Sequence, residues 1–283
     1  MRKLFLQLLL LVIIAYSFNS CDTKEEQIPA FIEIDTVKVK ISDEAEQGSN
    51  THKITDVWVY IDNKYQGNYQ PPRTFPVLAS GRHLITFRAG IMKNGISATR
   101  EEYPFYHFVD IDTLLIEDQV LKLNPEFEYV DNAKFWIEDF EDPNYSIGDN
   151  PQLISDTSLQ RIEDPDHQGN FIGAAFTDAT HNRFMASTNK ETDPIYYDDA
   201  QRRIFLELDY KCNTHFYIGL VGNDLITVLL VNKHDSWNKI YVDLTPSIKS
   251  NPANVYALAF WMFYDGEKQC QLFLDNVKIV RYE

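Results

Sequence analysis

The sequence is poor in the residues and motifs on which most enzymes and metalloproteins depend. It contains three cysteines, Cys21, Cys212 and Cys270, and none of them forms a C-x-x-C pair of the zinc or redox type. The motifs G-x-S-x-G and H-E-x-x-H and glycine-rich phosphate-binding loops are missing, and the seven histidines are scattered without metal-ligand spacing. We therefore expect a protein that is not an enzyme.

Positive charge is also scarce. The chain has 26 Lys and Arg against 42 Asp and Glu, which gives a formal net charge of −16. Such a surface repels phosphate backbones, so we expect no nucleic-acid partner. Polyanionic glycans are poor partners for the same reason.

The N-terminal apolar run, Leu4 to Ala15, is too short to cross a membrane, because a spanning helix needs ~20 apolar residues. Arg2 and Lys3 precede this run, and Cys21 follows it after Tyr16-Ser17-Phe18-Asn19-Ser20, so that a small residue stands directly before the cysteine. A charged region followed by a short apolar region is typical of a cleaved signal peptide. The sequence therefore predicts a signal over residues 1–20 and a polar tether over residues 21–30.

This N-terminal stretch resembles a bacterial lipoprotein signal, in which the cysteine is lipidated and becomes the new N-terminus. The resemblance implies that Cys21 carries acyl chains such as palmitate and anchors the protein in the outer membrane. Lys24, Glu25 and Glu26 resemble the signal that exports lipoproteins of the Bacteroidota to the cell surface. The alternative is an ordinary secretory signal in which Cys21 is incidental.

Residues 31–130 have the alternating pattern of half-buried strands. Val37, Val39 and Ile41 alternate with lysines, and turn residues separate the later strands, for example at 62–64 and 80–81. The segment VWVYIDNKYQGNY…TFPVLASGRHLITFRAG resembles small PEGA-like or carboxypeptidase-regulatory-like domains. This resemblance implies a small Ig-like β-sandwich.

Residues 131–283 predict a second all-β domain with turn signals every 8–12 residues and no helical pattern of useful length. The stretch 255–264 is almost entirely apolar, which is typical of a strand buried on both faces. The alternation slips at Asp275-Asn276, and this slip indicates a bulge. The opening FWIEDFED and closing QLFLDNVKIV resemble the terminal strands of galactose-binding-like jelly rolls, the fold of many carbohydrate-binding modules.

Two groups of aromatic residues are candidates for function. The first group surrounds Pro104 and is a candidate for a partner-contact loop; it consists of Tyr103, Phe105, Tyr106 and Phe108. The alternative is that these rings cover the end of the first sandwich. Aromatic residues in strands of the second domain are candidates for stacking on a neutral glycan: Tyr217, Trp237 and Tyr241. Trp261 lies in the apolar strand and is expected in the core.

The jelly-roll resemblance also implies a structural calcium ion between the first and last strands of the second domain. Asp139, Glu141 and Asp275 occupy the corresponding positions, and carboxylate oxygens suit Ca²⁺. The alternative is that these three are solvated acids at strand ends. Cys212 and Cys270 either form a disulfide or are buried free thiols.

Two functions remain at this point. The first is a surface lipoprotein without catalytic activity that acts by protein contact, as an accessory subunit of an outer-membrane export, assembly or uptake complex. The alternative is a glycan-binding protein that uses the C-terminal jelly roll.

Overall fold

The computed structural model describes residues 27–164, 167 and 171–283. The predicted lipidation site, Cys21, and the predicted export signal at residues 24–26 lie outside the described residues. None of the described helices is long and apolar enough to cross a membrane.

The N-terminal half is built from short strands with one helical turn. That turn, α1, is Glu44–Gln47, and Asp43 caps it through a bond from the Ala45 N–H to the carboxylate. The strands are β1 (Ala30–Ile34), β2 (Lys38–Lys40), β3 (Asp56–Ile61), β4 (Lys64–Tyr69), β5 (Arg73–Val77), β6 (Gly81–Met92), β7 (Arg100–Glu102), β8 (Val109–Leu115), β9 (Val120–Lys122) and β10 (Glu126–Glu128).

These strands form three sheets around one core. The sheets have the orders β4-β3-β6-β7 with β8 also beside β6, β5-β1-β9, and β10-β2. Alternation places Val57, Val59 and Ile85 inside with almost no exposure, as the sequence pattern predicts.

The C-terminal half has longer strands. They are β11 (Ala133–Glu138), β12 (Gln160–Glu163), β13 (Phe171–Thr177), β14 (Arg183–Ser187), β15 (Ile195–Tyr196), β16 (Ile204–Cys212), β17 (Phe216–Val221), β18 (Leu225–Val231), β19 (His234–Asp243), β20 (Val255–Phe263) and β21 (Cys270–Tyr282). A 3-10 helix covers Tyr197–Gln201, and α2 covers Thr245–Ser250.

Two sheets of this half face each other as a sandwich. The six-stranded sheet has the order β12-β13-β21-β16-β19 with β11 also beside β21, and the five-stranded sheet has the order β14-β20-β17-β18 with β15 also beside β20. Residues from both inner faces, such as Leu206 and Phe260, share one apolar core. The prediction of an all-β chain is confirmed.

Two local predictions about this sandwich are also confirmed. β20 is buried along nearly its whole length, since one face lies in the core and the other carries a smaller apolar cluster that includes Trp261. The β16–β21 register shifts opposite Asp275-Asn276: Glu207 pairs with Lys278, whereas Asp209 pairs with Asp275. Asn276 has φ = 47° there, a conformation that asparagine tolerates better than most residues.

The two halves meet across the outer face of the six-stranded sheet. Phe205, Tyr241 and Val280 project from this face into the apolar core of the N-terminal half. That half covers this face at β16, β19 and β21. On the other side of the sandwich, the outer face of the five-stranded sheet carries the smaller apolar cluster, against which Leu153 packs.

Candidate functional site

A row of side chains crosses the outer face of the five-stranded sheet. Strand register aligns Leu230 of β18 with Tyr217 of β17, Tyr217 with Trp261 of β20, and Trp261 with Met185 of β14. Residues directly opposite one another in adjacent strands project to the same face. The row is therefore a continuous line of apolar and aromatic side chains, in which Leu230 and Tyr217 are accessible and Trp261 and Met185 are buried.

The two rings in this row are nearly parallel. The Tyr217 and Trp261 planes differ by 5° and their centroids lie 5.3 Å apart. Trp261 is only 4% exposed, whereas Tyr217 is partly exposed. Tyr217 therefore presents the accessible ring, and Trp261 holds it in place.

Gly219 makes this flat arrangement possible. It lies opposite Ala259 of β20, two residues along from the Tyr217–Trp261 pair, and a Cβ built on it would lie 2.5 Å from Cζ3 and Cη2 of Trp261. The indole thus lies against the backbone of β17, where only glycine leaves room for it.

Exposed apolar side chains surround the rings. Leu230, Phe263 and Leu225 are 48%, 40% and 39% exposed, and Phe263 meets Tyr217 edge to face at 6.1 Å between centroids. Contiguous exposed apolar surface on a soluble domain typically marks a binding site.

Polar groups flank the same face. Arg183 is the register partner of Phe263, and its Nη2 lies 3.9 Å from the Asp156 carboxylate. Thr227 is the register partner of Gly219 and is exposed. At the end of β14, Ser187 Oγ accepts a bond of 2.8 Å from Asn150 Nδ2. Aromatic surface with hydrogen-bonding groups at its edges is the usual composition of a small-ligand site.

A cavity of about 560 Å³ opens beyond Ser187, between residues 144–152 and residues 187–193. Lys190 bridges this cavity to the sheet, since its Nζ donates to Gln152 Oε1 at 3.1 Å and to the Gly222 carbonyl at 2.6 Å. Burial lowers the pKa of Lys190. The cavity extends the polar end of the outer face.

Of the three residues predicted to bind a glycan, Tyr217 alone lies on this face. The prediction for Tyr241 is wrong, because this residue is 1% exposed and packs in the junction between the two halves. Trp237 belongs to the other sheet, where its indole stacks on His167 with centroids 3.6 Å apart. Alternation along β19 gives Trp237 and Tyr241 the same kind of position as Tyr217. The docking of the N-terminal half buries Tyr241, whereas the contacts of Trp237 are with His167 and Asp164 of its own half.

The predicted partner-contact loop is wrong for three of its four residues. Tyr103, Phe105 and Tyr106 are at most 3% exposed, and Phe108 alone is open, at 54%. Tyr103 packs edge to face on Phe205 of β16, with centroids 5.5 Å apart. The aromatic run fills the junction between the halves because that junction is part of the hydrophobic core.

The centre of the junction is polar. Glu207 is fully buried, and its Oε1 accepts hydrogen bonds from the hydroxyls of Tyr103, at 2.7 Å, and Tyr129, at 2.9 Å. Lys239 Nζ lies 3.5 Å from Glu207 Oε2, and Lys278 Nζ lies 3.1 Å from the Tyr129 hydroxyl. Burial lowers the pKa of Lys278 to about 8.

The three predicted calcium ligands serve other partners. Asp139 accepts from the Glu141 N–H, Glu141 accepts from the Phe171 N–H, and Asp275 Oδ2 lies 3.1 Å from His167 Nε2. Burial raises the pKa of Asp275 to about 6. Within residues 27–164, 167 and 171–283, no three His, Cys, Asp or Glu side chains are grouped so that they could hold a metal ion.

Cys212 and Cys270 are free and buried, so the thiol alternative describes this structure. Burial raises the pKa of Cys212 to about 11, which keeps it protonated and unreactive at neutral pH.

Comparison with known proteins gives structural similarity only. No family model and no curated protein matches the chain. A family 29 carbohydrate-binding module solved with mannohexaose is similar over 52% of this chain and 92% of its own, at 10% identity and a TM-score of 0.35. The same module with cellulohexaose is similar over 53% of this chain and 93% of its own, at 11% identity and a TM-score of 0.36.

A family 30 carbohydrate-binding module of a cellulosomal cellulase of Clostridium thermocellum is similar over 51% of this chain and 90% of its own, at 16% identity and a TM-score of 0.35. Mannohexaose and cellulohexaose are ligands of the family 29 module. The function of this chain follows from its own residues.

Proposed function

We propose that this protein binds a neutral glycan, without catalysis, on the outer face of its five-stranded sheet. The observation that supports this proposal is the parallel pair Tyr217 and Trp261, in which the buried indole holds a partly exposed tyrosine ring on the outer face of the sheet. The absence of catalytic motifs from the sequence supports a binding role.

The chemistry of the face suits a sugar. One face of a pyranose presents C–H groups that stack on an aromatic ring, while its hydroxyls need hydrogen-bonding partners at the ring's edge. Tyr217 provides the ring, and Arg183 and Thr227 provide polar groups beside it. The net charge of −16 favours a neutral sugar over an acidic one.

The accessory-subunit hypothesis loses its main support. It depended on an exposed aromatic loop, and Tyr103, Phe105 and Tyr106 are buried between the two halves of the chain. The face around Tyr217 is exposed, and its aromatic and polar composition favours glycan binding over the role in an export, assembly or uptake complex.

We also propose that the protein acts at the bacterial surface, held in the outer membrane by lipid on Cys21. The support is the N-terminal sequence, including Lys24, Glu25 and Glu26. Two or three acyl chains are enough for stable anchoring. A tether of roughly ten residues at up to ~3.4 Å each would place the folded part about 30 Å from the bilayer.

A glycan array of neutral and acidic oligosaccharides, probed with the purified full chain, tests the binding proposal. We expect signals confined to neutral oligosaccharides and lost in Tyr217→Ala. An array on which the chain binds nothing, or binds only sulfated or uronic-acid glycans, would refute it.

Location needs a separate test. Protease added to intact cells should degrade the wild-type protein. In cell fractionation, the Cys21→Ser variant should be found in the soluble fraction and not in the membrane fraction. Full protease resistance on intact cells would move the protein to the inner side of the outer membrane.

A further inference from the structure

Strand β18 differs from the other edge strands of this protein. It has the sequence LITVLLV over Leu225–Val231, with no charged residue, no proline and no glycine. Every other described edge strand of three or more residues carries at least one charged residue, for example Arg161 in β12, Asp110 in β8 and Arg73 in β5. Charge, proline and β-bulges are the usual protection of edge strands against unwanted pairing. β18 has neither charge nor proline, and its one irregularity is a register shift at which Val228 has no partner on β17.

The free side of β18 is open. It pairs with β17 on one side, and no strand among residues 27–164, 167 and 171–283 pairs with its other side. Leu225 and Leu230 are exposed on the outer face. Ile226, Val228 and Leu229 face the core and are still only partly buried. Both faces of the strand would therefore lose apolar exposure if another strand were added.

The charges at the two ends of β18 indicate which strand is added. Exposed Asp224 immediately precedes the strand, and exposed Lys233 follows it by two residues. An antiparallel copy of the same strand, related by a two-fold axis, places each Asp224 near the Lys233 of the other copy. Such an interface is self-complementary and closed, as in most homodimers.

We propose that β18 pairs with β18 of a second copy of this chain, so that two five-stranded sheets join into one. The main-chain hydrogen bonds of the free edge, the uncharged strand and the opposite charges at its ends all favour this partner. The pairing also brings together two acidic molecules at a segment without negative charge between residues 225 and 231. This inference does not depend on glycan binding.

Sedimentation velocity of the purified full chain in detergent, over a hundredfold concentration range, tests the pairing. We expect a monomer–dimer equilibrium that Leu230→Lys shifts to monomer, because a charged side chain on an edge strand disfavours pairing with a further strand and the two lysines would repel each other across the joined sheet. The matched control is Leu114→Lys, which changes a leucine that is 56% exposed on β8 of the N-terminal half, and it should leave the dimer unchanged.

A charge-reversal cycle tests the antiparallel arrangement. Asp224→Lys and Lys233→Asp alone should each raise the dimer dissociation constant by roughly tenfold, because each makes two attractive contacts repulsive. The double variant should restore the wild-type constant. Circular dichroism and melting temperature show that each variant is folded.

A chain that stays monomeric across the range would overturn the proposal. A dimer that Leu230→Lys does not weaken, or that Leu114→Lys weakens equally, would place the interface elsewhere and overturn it as well. If the dimer of the double charge variant dissociates as readily as the dimers of the single variants, the antiparallel pairing of two copies is wrong.

Discussion

The indole ring of Trp261 packs directly against the backbone of Gly219: a Cβ built at that position would lie 2.5 Å from two of the ring atoms. The carbonyl oxygen of Ile226, on the neighbouring strand, closes the same space from the side. A methyl group has no room between Trp261 and the backbone of β18. The flat shape of the candidate binding face therefore depends on a residue that has no side chain.

We predict that Gly219→Ala lowers the free energy of unfolding by about 1–3 kcal/mol, the usual cost of overpacking. It should also weaken glycan binding, because Trp261 must tilt and Tyr217 loses its support. Urea denaturation gives the first quantity and titration calorimetry the second.

The matched control for that variant is Gly148→Ala. Gly148 has no heavy atom within 4 Å of a built Cβ, so the added methyl group meets open space. If Gly219→Ala is as stable as Gly148→Ala, the close contact between Trp261 and the strand backbone is not present in solution.

We predict a large loss of stability for Glu207→Gln. The carboxylate accepts from two tyrosine hydroxyls and lies 3.5 Å from Lys239 Nζ, all in a fully buried site. Removing one charge from a buried pair costs up to about 3–5 kcal/mol, although Lys239 keeps the Asp209 carboxylate 3.5 Å away. Urea denaturation measures the difference.

Glu128→Gln is the control for the buried site. Glu128 pairs with Lys40 on the surface, where the two side chains are 49% and 56% exposed, and such pairs contribute at most about 1 kcal/mol. Equal effects of the two substitutions would mean that the junction between the halves is open to water.

Lys278 makes the stability of the junction depend on pH. Its pKa falls from 10.5 to about 8 on folding, chiefly because burial disfavours the charged form. Between pH 8 and pH 10.5 the unfolded chain therefore holds a proton that the folded chain has released, so this residue's contribution to stability rises with pH. Below pH 8 both states are protonated and the full penalty applies.

The comparison of wild type with Lys278→Met isolates this effect. The unfolding free energy of wild type minus that of the variant should increase by about 1.4 kcal/mol per pH unit between pH 8 and pH 10. Urea denaturation at intervals of half a pH unit measures it. A difference that stays constant across this range would show that Lys278 does not titrate with a lowered pKa.

The sequence contained enough information for the strands and not enough for the contacts between the halves. Alternation along β16 and the slip at Asp275-Asn276 predicted a strand and a bulge correctly, because both depend on local pattern. Tyr103 and Tyr241 have the same local pattern as exposed aromatics. Their burial depends on the docking of residues that are 138 positions apart in the sequence, which no local pattern encodes.

The candidate site was predictable in part for the same reason. Tyr217 alternates outward on β17 and is the one residue of that strand that is not buried, so the strand pattern was enough to place its ring on the outer face. Trp261 was correctly placed in a strand buried on both sides. Its role as the support for Tyr217 required the register of β17 and β20, as did the role of Gly219.

The most direct test of glycan binding at Tyr217 is titration calorimetry of the purified full chain with a neutral oligosaccharide selected on the array. Wild type, Tyr217→Ala and Tyr65→Ala are compared. Tyr65 is the control because it is a tyrosine 52% exposed on the N-terminal half, far along the chain from the candidate face. We expect Tyr217→Ala to lose about 2 kcal/mol or more of binding free energy, which is roughly thirtyfold in affinity, with an unchanged melting temperature. Tyr65→Ala should bind like wild type. Wild-type affinity in Tyr217→Ala would contradict it.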